Sequence, residues 1–138
     1  MSEIVVDSSV AVKWLVPEPD SGKAFAFRAQ ALAAGDRLVV LDLLFPEVAN
    51  AIWKSQRRGL ITSAEADGFI ALLSNLRVGT FPALDLLKRG YEIAKKYDRS
   101  VYDALFVALV EARGARGVTA DRPLLQAVEK DFPQIALF

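Results

Sequence analysis

The chain has neither cysteine nor histidine in its 138 residues. Without thiols there is no disulfide framework and no thiolate nucleophile or ligand, so an apolar core must carry the stability. Without imidazole, a Ser-His-Asp triad, a tetrahedral zinc site and histidine acid–base chemistry are excluded. Net charge is lacking as well, because 17 Lys and Arg balance 17 Asp and Glu. An anionic polymer would have to be held by a local basic patch and not by overall charge. Met1 leads through Ser2 and Glu3 directly to Ile4, with no basic stretch and no long apolar run, so no secretory signal is expected. The most apolar helical stretch, Val101 to Val110, is too short to span a bilayer and carries Asp103. The expectation is a soluble, cytoplasmic protein with no membrane association.

What is present is apolar residue in quantity and a recurrent placement of acids. Hydrophobic residues make up 53% of the chain, and its length suits a single domain over 1–138. Ile4-Val5-Val6 predicts a buried strand ending at Asp7, followed by helix from Ser8 to Leu15 until Pro17 breaks it. Asp20 or Ser21 can cap a second helix reaching Ala34, and Arg37 to Leu41 reads as the next strand. Pro46 suits the first turn of a third helix ending near Arg58, and Thr62 with Glu65 forms a capping box for a fourth reaching Asn75. A short strand around Val78 to Phe81, a helix from Asp85 to Tyr97, and a helix capped by Ser100 follow. Gly117 to Ala120 predicts a strand, Pro123 opens a seventh helix, and Ile135 to Phe138 closes as strand. Strands alternating with helices imply right-handed crossovers: a doubly wound α/β/α sandwich around a mostly parallel sheet.

Asp7, Glu47, Asp103 and Asp121 each sit where an apolar run stops and a helix begins. In a parallel α/β sheet such ends converge on one edge, so acids distant in sequence can meet there. Singly, each has an ordinary explanation as a helix cap or a complement to the helix dipole. Jointly, and with no nitrogen or sulfur ligand available, they suggest an all-oxygen site for Mg²⁺ or Mn²⁺. Ser100 already supplies a cap for its helix, so Asp103, set among Val101, Tyr102, Ala104, Leu105 and Phe106, needs a cation if buried.

Asp7 in VVDSSVAVKWLVPEP, Glu47 in FPEVANAIWK, Asp103 in SVYDALFVAL and Asp121 in VTADRPLL look like the four acidic signatures of the PIN domain, in their usual order and essentially from end to end. The first segment and the compact length most resemble VapC-type toxins of bacterial and archaeal toxin–antitoxin pairs. That resemblance implies a five-stranded parallel sheet in the order 3-2-1-4-5, Mg²⁺ or Mn²⁺ at the acids, endoribonuclease activity, and a small VapB-like antitoxin occupying a groove. One departure is visible. Where some relatives carry a further acid after the fourth position, this chain has Arg122, Pro123 and Leu124.

Hydrolysing a phosphodiester needs an activated water and neutralisation of charge on the phosphoryl oxygens, and one or two divalent ions provide both. The expected assignment makes Asp7 and Asp103 direct ligands, Glu47 a ligand or an orienter of water, and Asp121 a ligand to a second or weaker site. Ser9 and Thr119 are expected to support the carboxylates or water from behind. Lys13, Arg99 and Arg122 are the expected RNA phosphate contacts, chosen from a set that also includes Lys54, Arg57, Arg58 and Arg116. Trp14 and Trp53 are expected to pack in the core.

The second helix carries Phe25, Ala29 and Leu32 on one face and Phe27, Ala31 and Ala34 on another, which suits either a helix wedged between its own neighbours or a docking groove for an antitoxin segment. Phe69, Leu72, Leu73 and Leu76 of the fourth helix suit core, groove or homodimer contact, and a homodimer is expected. The competing readings are a receiver-like phosphoryl-accepting domain, which would need a lysine at a late strand end, and a nonenzymatic module retaining the fold.

Overall fold

Every short apolar run expected to be a strand is one in the computed structural model, which describes residues 2–138. The strands are β1 (Glu3–Val6), β2 (Arg37–Leu41), β3 (Gly79–Phe81), β4 (Arg116–Thr119) and β5 (Ile135–Leu137). They form one sheet in the order β3-β2-β1-β4-β5, and all four pairings are parallel. The chain winds outward from β1 in one direction and then, after β3, in the other. This leaves a crevice at the carboxyl ends of β1 and β4, where ligands of doubly wound sheets bind.

The helices are α1 (Ser8–Ala11), α2 (Ser21–Ala33), α3 (Leu44–Arg57), α4 (Ser63–Ser74), α5 (Leu87–Tyr97), α6 (Val101–Arg113) and α7 (Arg122–Val128). Local chemistry sets most of their ends. The Thr62 and Glu65 capping box is fully formed at the start of α4. Ser100 Oγ accepts the Asp103 N–H at the start of α6, and Gly114 ends that helix at φ 58°, a conformation that costs glycine nothing.

Two starts differ from expectation. The first helix has a single α turn and then tightens into a 3₁₀ turn over Val12–Trp14, because the chain must swing away before Pro17. The fifth is preceded by a 3₁₀ turn over Ala83–Leu86, directly after Pro82, which cannot itself continue a helix backward.

Alternation along the strands sends side chains to two cores. Ile4, Val6, Leu38 and Val40 face Val10, Trp14, Ala24, Val48 and Ile52 on one side. Val5, Val39 and Leu41 face α6 on the other, where Ala104 to Val110 are buried without interruption between sheet and α5. A helix that is apolar all round must be covered on every side, and α6 is from Ala104 to Val110. No helix among the described residues is long and apolar enough to cross a membrane.

Trp14 is buried and its indole N–H donates to the Ala24 carbonyl at 3.1 Å. Trp53 departs from expectation. It is 51% exposed, with the Arg57 guanidinium over its ring, because the buried face of α3 is already taken by Leu44, Val48 and Ile52. In α2 the two apolar faces separate: Ala24 and Ala31 are buried and Phe27 packs on the core, while Phe25 and Leu32 remain exposed.

Candidate active site

Asp7 follows the last residue of β1 and caps α1, its Oδ1 accepting the Ser8 N–H at 3.0 Å. Its backbone N–H donates to the Val118 carbonyl, extending the β1–β4 ladder by one bond and fixing the carboxylate at the sheet edge. Oδ2 accepts two hydroxyls, Ser9 Oγ at 2.7 Å and Thr119 Oγ1 at 2.8 Å. Both hydroxyls are themselves acceptors for the turn after β4: Ala120 N–H donates to Ser9 Oγ at 2.9 Å, and Asp121 N–H to Thr119 Oγ1 at 3.1 Å. A hydroxyl has one proton to give. With amides on their acceptor sides, both protons go to Asp7, and the 3.2 Å approach of Ser9 to Thr119 is a consequence of sharing that oxygen.

This network joins β1, α1 and the β4–α7 turn, so it holds Asp7 and Asp121 in fixed relation. Thr119 is wholly buried. Thr119→Val, a change of similar shape, leaves the Asp121 N–H without its acceptor and removes a donor from Asp7. A loss of about 2 kcal/mol in urea unfolding is expected. An unchanged unfolding midpoint would mean that the network contributes nothing to stability.

Asp121 caps α7, its Oδ1 accepting the Leu124 N–H at 3.1 Å. Asp103 lies in the first turn of α6, and because Ser100 takes the capping role its carboxylate is left free of the helix. It finds Arg99, whose Nη2 lies 3.2 Å from Oδ2. The cation that the apolar setting of Asp103 calls for is thus present within the chain. Glu47 sits in the first turn of α3.

All four acids line one cleft of about 380 Å³ together with Ser8, Ser9, Asn50 and Lys54. Burial pushes the Asp7 carboxyl above its ordinary range against the pull of its two hydroxyl partners, and the charge of Asp103 adds to the rise. Glu47 is raised as well, first by desolvation at the cleft wall and then by the charges of Asp7 and Asp103. Three carboxylates therefore feel one another across the cleft, and among the described residues only Asp103 has a cationic partner. Such excess negative charge suits a bound cation.

Among the described residues no three acids stand close enough to form a ready-made metal cage. An open arrangement is what the smaller hard ions use: Mg²⁺ keeps several waters and takes one or two carboxylates plus substrate phosphate oxygens. Asp7, Glu47, Asp103 and Asp121 are the residues that would hold such an ion, and their donor atoms are oxygen only.

The expected basic contacts are distributed differently. Lys13 is held by Glu18 and Asp20 at 3.3 and 3.0 Å, which also explains why Asp20 makes no capping bond to α2. Lys13 and Arg122 line a neighbouring crevice of about 170 Å³ with Lys23 and Phe138. Arg99 is engaged by Asp103, and its Nε is buried with no partner among the described residues. Lys54, and Asn50 beside it, are the residues that reach the acid cleft itself. Their signal was available in the spacing, since positions three and seven residues beyond Glu47 share its helical face. No lysine occupies the end of β4 or β5, where a receiver-like domain would need one.

A family model described as PIN domain matches residues 4–130. Ribonuclease VapC3 of Pyrobaculum aerophilum is 36% identical over 128 residues, covering 90% of this chain and 93% of that protein. Ribonuclease VapC9 of Mycobacterium tuberculosis is 31% identical over 130 residues, covering 94% of each. The crystal structure of VapBC2 from Rickettsia felis, bound to a DNA fragment from the promoter, superposes with a TM-score of 0.68 over 99% of this chain and 97% of that one. At 14% identity that likeness speaks for the fold alone.

Proposed function

The chain belongs to the PIN-domain family, and we propose that it is a divalent-metal-dependent endoribonuclease, the toxin of a VapBC-like type II pair, which hydrolyses phosphodiester bonds of single-stranded or looped RNA in the acid-lined cleft. The observation that carries this reading is the opening of Asp7, Glu47, Asp103 and Asp121 into one cleft that also holds Lys54. The kinship with proteins named ribonuclease VapC over nine-tenths of the chain supports the same chemistry.

A divalent ion bound here, Mg²⁺ or Mn²⁺, supplies charge neutralisation at the phosphoryl oxygens and lowers the pKa of water. Asp7, held on three sides by Ser8 N–H, Ser9 and Thr119, presents a carboxylate that needs no reorganisation to bind it. Asp103 serves as the second direct ligand and Asp121 as the weaker one. Glu47, at the wall of the same cleft, would hold the ion or orient the attacking water. Lys54 draws the phosphate backbone into the cleft, with Arg122 and Lys13 flanking it. Residues 1–138 act as one domain in the cytoplasm.

The partner we propose is a small antitoxin that lays apolar side chains on the exposed face of α2, where Phe25 is 52% and Leu32 54% exposed. A homodimer is the proposed assembly, because Leu87 and Tyr91 of α5 and Leu84 of the preceding 3₁₀ turn are all exposed; molar mass by light scattering checks it. The function is tested by cleavage of an unpaired oligoribonucleotide with Mg²⁺, with excess EDTA, and with the antitoxin added. Cleavage should need the ion, and Phe25→Asp should still cleave while escaping inhibition. Full cleavage in EDTA contradicts the enzymatic reading, and unchanged inhibition of Phe25→Asp contradicts the docking face.

A further inference from the structure

Helix α6 is buried from Ala104 to Val110, yet at its tip Tyr102 is 61% exposed, one residue before Asp103. The other exposed tyrosine, Tyr91, and the exposed Trp53 have cations over their rings, from Lys95 and Arg57. Tyr97 stacks edgewise on Phe132 and donates its hydroxyl proton to Asp131. Tyr102 has none of these: among the described residues no cation or ring covers it and its hydroxyl has no hydrogen-bond partner.

Its position is specific. Tyr102 walls a small crevice together with Leu44, Phe106, Asp7, Ser8 and Glu47, and the last three also line the acid cleft. The crevice therefore borders the cleft at these three residues. The crevice, about 10 Å³, is too narrow to take a ligand, so the ring contributes a surface and not a pocket. Lys54 of α3 lines the cleft, and Tyr102 at the tip of α6 stands beside it, with Asp7, Ser8 and Glu47 as shared neighbours. A cation and an aromatic ring are the two kinds of group that an unpaired nucleic-acid strand uses, one for its phosphates and one for its bases.

We propose that Tyr102 is the platform on which a nucleobase adjoining the scissile phosphate stacks, setting the register of an unpaired RNA strand over the carboxylates. This rests on the ribonuclease reading and adds a substrate contact to it. Stacking uses the ring face, which every base can meet, so Tyr102 favours unpaired over paired RNA and discriminates weakly among bases. The hydroxyl is not required.

The test compares the full chain with Tyr102→Phe and Tyr102→Ala, cleaving an unpaired oligoribonucleotide that carries a fluorescent purine analogue beside the cut bond. Tyr102→Phe should match the parent. Tyr102→Ala should raise KM about tenfold while kcat changes by no more than about threefold, and should lose the quenching that stacking produces. All three should melt alike, since the side chain packs on little. Unchanged KM and quenching in Tyr102→Ala overturn the proposal, as does a Tyr102→Phe variant as impaired as Tyr102→Ala. So does unaltered RNA kinetics with weakened antitoxin binding, which would assign the ring to a protein interface. A parent that cleaves no RNA defeats the ribonuclease reading, and this inference with it; where the parent does cleave RNA, the two variants report on Tyr102 alone.

Discussion

Asp7→Asn should lower kcat/KM for RNA by about three orders of magnitude or more, with the fold retained. Asp7 is the one acid of the four whose carboxylate is fixed by three hydrogen bonds, so it supplies a ligand already in place. Asparagine keeps an oxygen for the Ser8 N–H and turns a neutral amide toward Ser9 and Thr119. The charge that attracts the ion is lost and the two hydroxyls must reorient. Circular dichroism and unfolding of the variant separate this effect from misfolding. Full activity in folded Asp7→Asn would remove the residue from the machinery.

Gly117→Val should be the most damaging substitution away from the acids. A Cβ at Gly117 would lie 2.5 Å from Val110 Cγ2, 3.1 Å from Phe106 Cζ and 3.5 Å from Ile135 Cγ1. Val110 and Phe106 are buried and have no free space to retreat into. Overpacking of this kind costs about 3 kcal/mol, and valine adds two further methyl groups. For a chain of this size that is a fall in melting temperature of roughly 10 °C. Because β4 ends at Thr119, which holds Asp7, and leads directly to Asp121, the folded fraction should also cleave more slowly. A variant melting within a degree or two of the parent would mean that α6 does not press on β4.

The order and nature of the elements were legible because local chemistry agrees with the global fold at nearly every boundary. The Thr62–Glu65 box, the Ser100 cap and the alternation of short apolar runs with helical ones are all read directly from the chain. The convergence of the acids was legible only through the rule that parallel strand ends share an edge. What sequence did not disclose was pairing among charges. Lys13, near the acids in sequence, is occupied by Glu18 and Asp20, whereas Lys54, seven residues beyond Glu47, reaches the cleft by helical geometry. Likewise the partner of Asp103 is Arg99, one turn back, a contact that depends on both rotamers. Trp53 failed as a core residue because helical phase, and not side-chain size, decides which face is buried.

That a divalent ion is shared by these carboxylates is tested most directly by thermal unfolding without metal and then with millimolar Mg²⁺ or Mn²⁺, for the parent and Asp103→Asn. Asp7 and Glu47 hold their protons to higher pH in the fold than in the unfolded chain. Their destabilising effect is therefore absent below the ordinary values of 3.8 and 4.5 and complete once pH has risen through the raised ones. The metal-free stability owed to these two groups thus falls as pH rises, and the gain from the ion should grow in the same direction. At neutral pH the parent should gain about 2.7 kcal/mol, several degrees, once the ion is about a hundred times its Kd. Asp103→Asn should melt at or above the metal-free parent, since it relieves repulsion at the modest loss of a partly exposed ion pair, and should respond little to the ion. Clear destabilisation of Asp103→Asn together with no metal-induced shift in the parent would contradict a shared metal site.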